Sequence, residues 1–354
     1  MPAHSSLKAV KITRNKIKTK EMLDANGVRT PKGITLKSSE IDKAHAWFDT
    51  LVKKKAVVKP ISGSGGKGIT SSITTKEQLS QALESINPAT AVLEEHIDGQ
   101  DHRILVAGGN VIAAMRRWPA HIVGDGNKTV TELISDKNKE RTKNPYDSRY
   151  LLKLTPEIVA RLQKMNITPE TVLSAEQRVD LQTIANIGAG GEGEDVTSII
   201  HPDFVEIARK SWEAFDNLEC CGVDLIVADI SKPAASQSYS VIEMNANCDI
   251  PIHHWPTIGE PLDVAAAIAD YYFPNDKKEL DHCAKIIISG KVQKVNFRRW
   301  IAKQALIYGV SGYCKNSSNN VEALFQGSKT SVDAIIRLCA KGPEKALVEK
   351  ISYI

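Results

Sequence analysis

The sequence predicts an α+β protein built from one large and one small domain. Three observations carry this. At about 150 residues per domain, 354 residues make roughly 2.4 domains. A charged stretch, Asn275 to Asp281, follows Phe273-Pro274 and reads as a boundary. Beyond it the chain is patterned β-α-β-β-α-β. The expected division is 1–276, a linker at 277–282, and 283–354.

Composition narrows the function classes. Hydrophobic residues are 42% and charged residues 25%, which excludes disordered and collagen-like chains. No apolar run approaches the ~18 residues of a membrane span, so no membrane contact is expected. The N-terminal stretch lacks an apolar core, so no signal peptide is expected. Six cysteines, two of them adjacent (Cys220, Cys221), form neither a disulfide framework nor a zinc spacing. A reduced, cytoplasmic protein with core cysteines is the expectation. The net charge of +4 is spread along the chain and aromatics are 5%, so nucleic acid is not an expected partner.

The first 55 residues read as two helices. Asn15 to Asn26 stops at Gly27 with Pro31 beyond. Ser39 to Lys54 carries Ile41, Ala44, Trp47, Phe48 and Leu51 at helical spacing. Ala56 to Pro60 is short, β-branched and closed by proline, hence a strand. A glycine loop, Ser62 to Gly68, leads to a β-like run, Ile69 to Ile73. Thr74 and Glu77 have capping-box spacing for the next helix. Ala91 to Glu94 is a strand. Ile104–Val106 and Val111–Met115 flank Ala-Gly-Gly-Asn as a hairpin. Thr129 and Glu132 cap another helix. Polar Lys137 to Arg149 is expected to be a mobile loop, and Gly188 to Glu194 a second loop. Pro202 to Phe215 is amphipathic. Val223–Ala228 and Tyr239–Glu243 are strands, with Cys220-Cys221 just before the first.

Two groups of residues in the large domain suggest chemistry. Gly63-Ser64-Gly65-Gly66-Lys67-Gly68 matches GxGxxG, but lies between two strands rather than opening a helix. Bare backbone N–H groups there can cradle phosphate oxygens, and Lys59 adds a point charge. The same residues also suit a plain flexible hairpin. Glu243 and Asn245, two apart on a strand, share a face. With Asp224 they make an oxygen set suited to Mg²⁺ and substrate phosphates. They equally suit strand-end acids facing water.

Taken in order, the motifs resemble an ATP-grasp ligase. They run Asn15-Lys16-x-x-Thr19-Lys20, Gly27-Val28-x-Thr30-Pro31-x-Gly33, Val57-Val58-Lys59-Pro60, the glycine loop, Leu93-Glu94-Glu95-His96-Ile97 and Asp101-His102-Arg103. Arg117-Trp118-Pro119-Ala120-His121-Ile122-x-Gly124-Asp125-Gly126, Asp195-Val196-Thr197, Asp224 and Glu243-x-Asn245 follow. This is most similar to the ATP-grasp module of cyanophycin synthetases and of bifunctional glutathione synthetases, over residues 14–274. The resemblance implies ATP and Mg²⁺ as cofactors. It implies that Lys16 and Lys59 hold phosphates under a lid containing Ser64, Gly65 and Gly66. Glu94, Glu95 and Ile97 would meet adenine, and Asp101 the ribose. Asp224, Glu243 and Asn245 would bind metal. Arg103, Arg117 and His121 would contact the acyl phosphate and substrate.

The resemblance also implies a two-step ligation through an acyl phosphate, joining an amino acid or short peptide to an amine. No covalent nucleophile is needed. Two departures concern the substrate. Relatives tend to read Ala-Ala-Pro-Gly after the metal asparagine, and here the chain reads Ala246-Asn247-Cys248-Asp249-Ile250-Pro251. The loop GAGGEGED is unusually acidic. Glu192, Glu194 and Asp195 would recruit a cationic amine or face solvent, and solvation is the favoured expectation. Only about 13 residues precede the first motif, so a front lobe is expected to be missing and a homodimer to close the substrate site.

In the tail, Gly290-Lys291-Val292-Gln293-Lys294-Val295-Asn296-Phe297-Arg298 and Gly309-Val310-Ser311-Gly312-Tyr313-Cys314-Lys315-Asn316 resemble acylphosphatase signatures. The element order agrees with that ferredoxin-like fold. A strand-to-helix loop offers backbone N–H groups as an anion site. The resemblance implies that Arg298 clamps a phosphoryl group and Asn316 orients water. Lys294 stands where the family usually has glycine. If that position needs positive φ, lysine is strained there.

The main expectation is a ligase with a fused acylphosphatase-like domain. One alternative is an acylphosphatase with a regulatory nucleotide-binding domain. Another is a non-catalytic ATP-binding partner in a larger assembly. His253-His254-Trp255 lacks spaced metal partners and is expected to be satisfied or exposed.

Overall fold

The computed structural model describes residues 5–61, 68–86, 90–216, 218–273 and 282–354. It forms two compact units, Met1–Tyr272 and Phe273–Ile354.

The first unit opens with α1 (Leu7–Thr13) and α2 (Lys16–Ala25). Asn15 caps α2 by accepting from the N–H groups of Ile17 and Lys18, which puts Lys16 at the first helical position. Next come β1 (Gly33–Lys37), α3 (Ile41–Thr50), β2 (Ala56–Pro60), β3 (Thr70–Ile73), α4 (Lys76–Glu84) and β4 (Thr90–Glu95). These strands form an antiparallel sheet in the order β1-β4-β2-β3. Helices α3 and α4 cover it through Ala44, Phe48, Leu79 and Leu83.

A second sheet holds the rest of the candidate site. It contains β5 (Gln100–Ala107) and β6 (Asn110–Trp118), turned by Gly108 and Gly109 at positive φ as a two-residue hairpin requires. The chain continues through β7 (His121–Val123), α5 (Val130–Arg141), α6 (Pro156–Lys164) and β8 (Arg178–Asp180). Then follow β9 (Glu192–Asp195), α7 (Pro202–Glu213), β10 (Cys220–Val227) and β11 (Tyr239–Asn245). The sheet order is β11-β10-β5-β6-β9, while β7 pairs with β8 alone. A core of Val10, Leu23, Ile104, Val106, Phe204 and Val223 packs α1, α2 and α7 on this sheet. Short α8 (Pro251–His254) and α9 (Val264–Tyr272) end the unit.

The second unit is β12 (His282–Lys291), α10 (Phe297–Ile307), β13 (Ser311–Ser317), β14 (Asn320–Gly327), α11 (Lys329–Lys341) and β15 (Leu347–Tyr353). Its sheet order is β13-β14-β12-β15, all antiparallel. Alternate residues Ala284, Ile286 and Ile288 point inward onto Phe297, Ile301, Val332 and Ile335 of the helices. Both units are of mixed helix and sheet, as expected.

Several elements depart from the sequence reading. The first 55 residues hold three helices and a strand, because Ser6 caps a short α1 that the pattern did not show. The cap of α4 is Thr75, whose hydroxyl accepts from the N–H of Gln78, one residue past the expected Thr74. Lys137–Arg149 is not a mobile loop. Residues 137–141 finish α5, and buried Arg141 donates to the carbonyls of Tyr150 and Gly191. Glu192–Asp195 is a strand on the sheet edge, not a loop. Cys220 and Cys221 lie inside β10, both buried. The strand therefore begins three residues before the expected Val223, as a strand buried on both faces and read as a continuous apolar run allows.

Candidate active site

Strand register brings the acidic set together. Asp224 on β10 lies opposite both Arg103 on β5 and Glu243 on β11. An irregularity beside Asp224 shifts the register, so Leu225 pairs with Val241 and Ile242 is the extra residue. Such a bulge re-aims the side chains after it. Arg103 donates to Asp224 through Nε (2.7 Å) and Nη2 (2.9 Å). Arg117 reaches Asp224 at 3.0 Å and donates to Asp101 at 2.5 Å. Asn245 donates its Nδ2 to Asp224 at 3.0 Å, leaving its Oδ1 as an oxygen donor for a cation.

From the smaller sheet, Lys59 on β2 pairs with Glu94 on β4 at 2.5 Å. Lys16, at the start of α2, feels the charges of Glu243, Lys59 and Glu94. The structure therefore brings Lys16, Lys59, Glu94, Arg103, Arg117, Asp224, Glu243 and Asn245 into one electrostatic neighbourhood spanning two sheets.

The balance of burial and charge differs at each acid. Burial works to raise Asp224, but the guanidiniums of Arg103 and Arg117 hold it below the usual carboxylate range. Glu243 goes the other way. Burial raises it, Asp224 adds repulsion, and Lys16, Arg103 and Lys59 only partly oppose this. Burial also pushes Asp101 up to about 6, against the pull of Arg117. Lys16 is lowered chiefly by burial.

A half-buried carboxylate made costly by burial and by a neighbouring acid is a place where a cation fits. Among the described residues no hydrogen-bond donor is recorded on Glu243. Asp224, Glu243 and the Asn245 carboxamide oxygen are hard donors of the type Mg²⁺ takes together with substrate phosphates. Among the described residues no group of three or more His, Cys, Asp or Glu could hold a metal unaided.

Other predicted residues fall as follows. Glu95 ends β4, with its carboxylate accepting from the N–H of Lys32 at 2.9 Å. Ile97 lies in the connection from the small sheet to the large one. Ser64, Gly65 and Gly66 lie outside the described residues. His121 is not brought to the Asp224 cluster. Its Nε2 faces Glu192 at 3.6 Å, and Lys137 meets the same carboxylate at 2.7 Å. Glu192 is thus buried and paired, and Glu194 accepts from Arg116 and from Trp118 Nε1. Asp195 accepts from Thr197. The expectation of solvation is overturned for Glu192, which is buried, while Glu194 and Asp195 are half-buried and hydrogen-bonded where β9 pairs with β6.

Sequence reasoning missed how residues 144–147 pack on the chain after β11. Tyr146 is 3% exposed and donates to Asp249 at 2.6 Å. Asn144 and Asp147 tie the same segment to residues 255–257. The one signal was the unusual Cys248-Asp249 after Asn245. His253 is 1% exposed, and neither ring nitrogen has a recorded partner. It is therefore buried without being satisfied.

In the second unit, Gln293, Lys294, Asn296, Arg298, Arg299 and Asn316 line a cavity of about 350 Å³ at the start of α10. Gln293 Nε2 anchors this cradle on the carbonyls of Ser318 and Asn320, at 2.7 and 2.8 Å. Lys294 and Asn296 both adopt left-handed backbone, at φ 60 and 61. The position where glycine was expected does require positive φ.

Fold and site together define the class: the first unit is an ATP-grasp domain. The family described as ATP-grasp domain matches residues 13–129 and acylphosphatase matches residues 284–354, so the chain joins an ATP-grasp domain to a C-terminal acylphosphatase domain. Cyanophycin synthetase of Nostoc sp. is 30% identical over 281 residues, 78% of this chain and 31% of that protein. The bifunctional glutathione biosynthesis protein GshAB of Clostridium perfringens is 32% identical over 268 residues, 74% of this chain and 34% of that protein. The crystal structure of a bifunctional glutathione synthetase from Pasteurella multocida superposes with a TM-score of 0.57 at 27% identity. It covers 78% of this chain and 38% of that one. The chain spans about a third of the length of the curated relatives it matches.

Proposed function

We propose that the protein is an ATP-dependent carboxylate–amine ligase, ADP-forming, acting on amino-acid or short-peptide substrates. One observation carries the proposal. Lys16 and Lys59 from one side and Asp224, Glu243 and Asn245 from the other converge on one neighbourhood. Lysines beside hard oxygen donors are what phosphoryl transfer needs, since its catalysis is mainly positioning and charge neutralisation.

In the proposed reaction the γ-phosphoryl group of ATP moves to a carboxylate oxygen, giving an acyl phosphate and ADP. An amine nitrogen then attacks the acyl carbon. The bond from carbon to the phosphate oxygen breaks, inorganic phosphate leaves, and the nitrogen loses one proton. Lys16 and Lys59 hold the nucleotide phosphates, under the segment containing Ser64, Gly65 and Gly66. Glu94, Glu95 and Ile97 line the adenine, and Asp101 faces the ribose. Arg103 and Arg117 lie beside Asp224, where they can stabilise charge on the transferring group. Mg²⁺ held by Asp224, Glu243 and Asn245 would neutralise phosphate charge. His121 is assigned no role in either step, since it turns to Glu192.

We also propose that the second unit hydrolyses acyl phosphates, with Arg298 as clamp and Asn316 orienting water. The cavity at the start of α10 supports this. The domain division 1–276, 277–282 and 283–354, a cytoplasmic location and a homodimer belong to the same proposal. Among the described residues no helix is long and apolar enough to cross a membrane.

The test is ADP release by the full chain across a panel of carboxylic acids and amines. Amine-dependent ADP formation is expected. ATP-independent benzoyl phosphate hydrolysis without any amine-dependent turnover would leave the phosphatase as the main activity. Nucleotide binding with neither activity would favour a non-catalytic partner.

A further inference from the structure

Lys294 adopts left-handed backbone at φ 60, at the position where the acylphosphatase pattern usually has glycine. Glycine takes that conformation at no steric cost and lysine does not. Strain held at a candidate site points to a use for the side chain that bears it. Lys294 shares the cavity of about 350 Å³ at the start of α10 with Arg298 and Arg299. None of the eight residues lining this cavity is acidic. Among the described residues none of the three cations enters an ion pair. Elsewhere in the same unit Lys285 and Lys315 both reach Glu322, at 3.2 and 3.3 Å.

One phosphoryl group leaves part of this charge unused. Arg298 is its proposed clamp. Asn296 precedes α10 without capping it through its side chain, so the first N–H groups of the helix are left for phosphoryl oxygens. Lys294 and Arg299 remain. Successive helix residues project about 100° apart, so Arg298 and Arg299 approach the cavity from different sides rather than gripping one oxygen together. Size narrows the ligand further. The cavity stands at the low end of the roughly 300–1,000 Å³ typical of ligand sites, which suits a small acyl phosphate rather than a nucleotide.

We propose that Lys294 and Arg299 form a subsite for a second anionic group, a carboxylate on the acyl part of the substrate. The second unit then takes acyl phosphates of dicarboxylic acids. This rests on the phosphatase reading of that unit and adds to it the class of the acyl group. In the reaction water attacks phosphorus and the bond from phosphorus to the acyl oxygen breaks. The dicarboxylate, inorganic phosphate and one proton leave. The far carboxylate is unchanged throughout, so its contacts act alike in the ground state and the transition state and are read in KM rather than kcat. Lys294 and Arg299 are specificity-determining residues.

The experiment compares benzoyl phosphate with 4-carboxybenzoyl phosphate as substrates of the full chain. The probes differ by one carboxylate, which the rigid ring keeps from attacking its own acyl carbon. In the wild-type protein kcat/KM should be about ten- to a hundredfold higher for the carboxylated probe, the worth of one charge-assisted hydrogen bond. Lys294 and Arg299 are exposed, so replacing them leaves the core of the unit intact. Lys294→Gln and Arg299→Gln should each cut the preference by about tenfold, through KM. Lys294→Gly should cut it as much although it relieves the backbone, and Lys294→Arg should keep it. Equal kcat/KM for the two probes in the wild-type protein, or a preference unchanged in both glutamine variants, overturns the subsite and leaves the phosphatase standing. Hydrolysis of neither probe overturns the phosphatase and the subsite with it.

Discussion

Arg103 grips Asp224 with both arms of its guanidinium, at 2.7 and 2.9 Å, across the pair of strands that forms the floor of the site. Asp224 is 2% exposed. Two charges so placed cost a great deal to desolvate and hold only while each has its partner.

Arg103→Ala is therefore expected to destabilise the first unit by about 3 kcal/mol, the low end for breaking a buried pair, because Arg117 and Asn245 still hold Asp224. Urea unfolding measures this. A midpoint equal to that of the wild type would show that the pair contributes nothing net.

Lys59→Met removes the charge proposed to face phosphate and leaves Glu94, 6% exposed, without its cation. Turnover with ATP should drop by about a hundredfold, the scale for losing one electrostatic donor. Adding Glu94→Gln should restore stability without restoring turnover. Recovery of activity in the double variant would mean that Lys59 serves only to pair Glu94.

Acid should weaken the fold before its acids protonate. His102 is buried and neutral, with Nδ1–H donating to the Gln100 carbonyl and Nε2 accepting from Arg116. Burial lowers it to about 4, and lowers His253 to about 3. An unfolded histidine takes its proton near 6.5. Below about 6.5 the unfolded chain thus binds more protons than the native one. Stability from these groups is complete above that pH and is lost as pH falls toward 4. The Tm of His102→Gln should decline less over this window than that of the wild type, and an equal decline would exclude His102 as a cause.

At Lys294 the usual order of side-chain effects should reverse. With φ at 60, glycine avoids a steric cost that alanine retains. Lys294→Gly should be more stable than Lys294→Ala by about 1 kcal/mol. Calorimetry of the two full-length variants decides this. In the same unit Arg298→Ala should abolish benzoyl phosphate hydrolysis. If ATP turnover without an amine is then unaltered, the tail does not edit acyl phosphates made by the first unit.

Much of this was legible in the chain. Strand and helix periodicity located most elements, and the capping pair Thr129–Glu132 marked α5 to the residue. The spacing of Glu243 and Asn245 put them on one face before any coordinates. Local rules fail where neighbours far along the chain decide the outcome. Lys137–Arg149 looks like a loop by composition, yet its first residues finish α5 and Arg141 finds the Gly191 carbonyl 50 residues away. Glu192 looks solvated by its own sequence, but pairing of β9 with β6 turns it onto Lys137.

By itself the sequence determined the two families, the order of their elements and the identity of the phosphate and metal candidates, because those rest on residue types at short, regular spacings. Only the tertiary structure decided which charges neutralise one another. Asp224 is taken by Arg103 and Arg117 and His121 is turned away to Glu192, while Asp249 accepts from the Tyr146 hydroxyl. Such pairings depend on strand register and burial between residues far apart in sequence, and no local pattern encodes either.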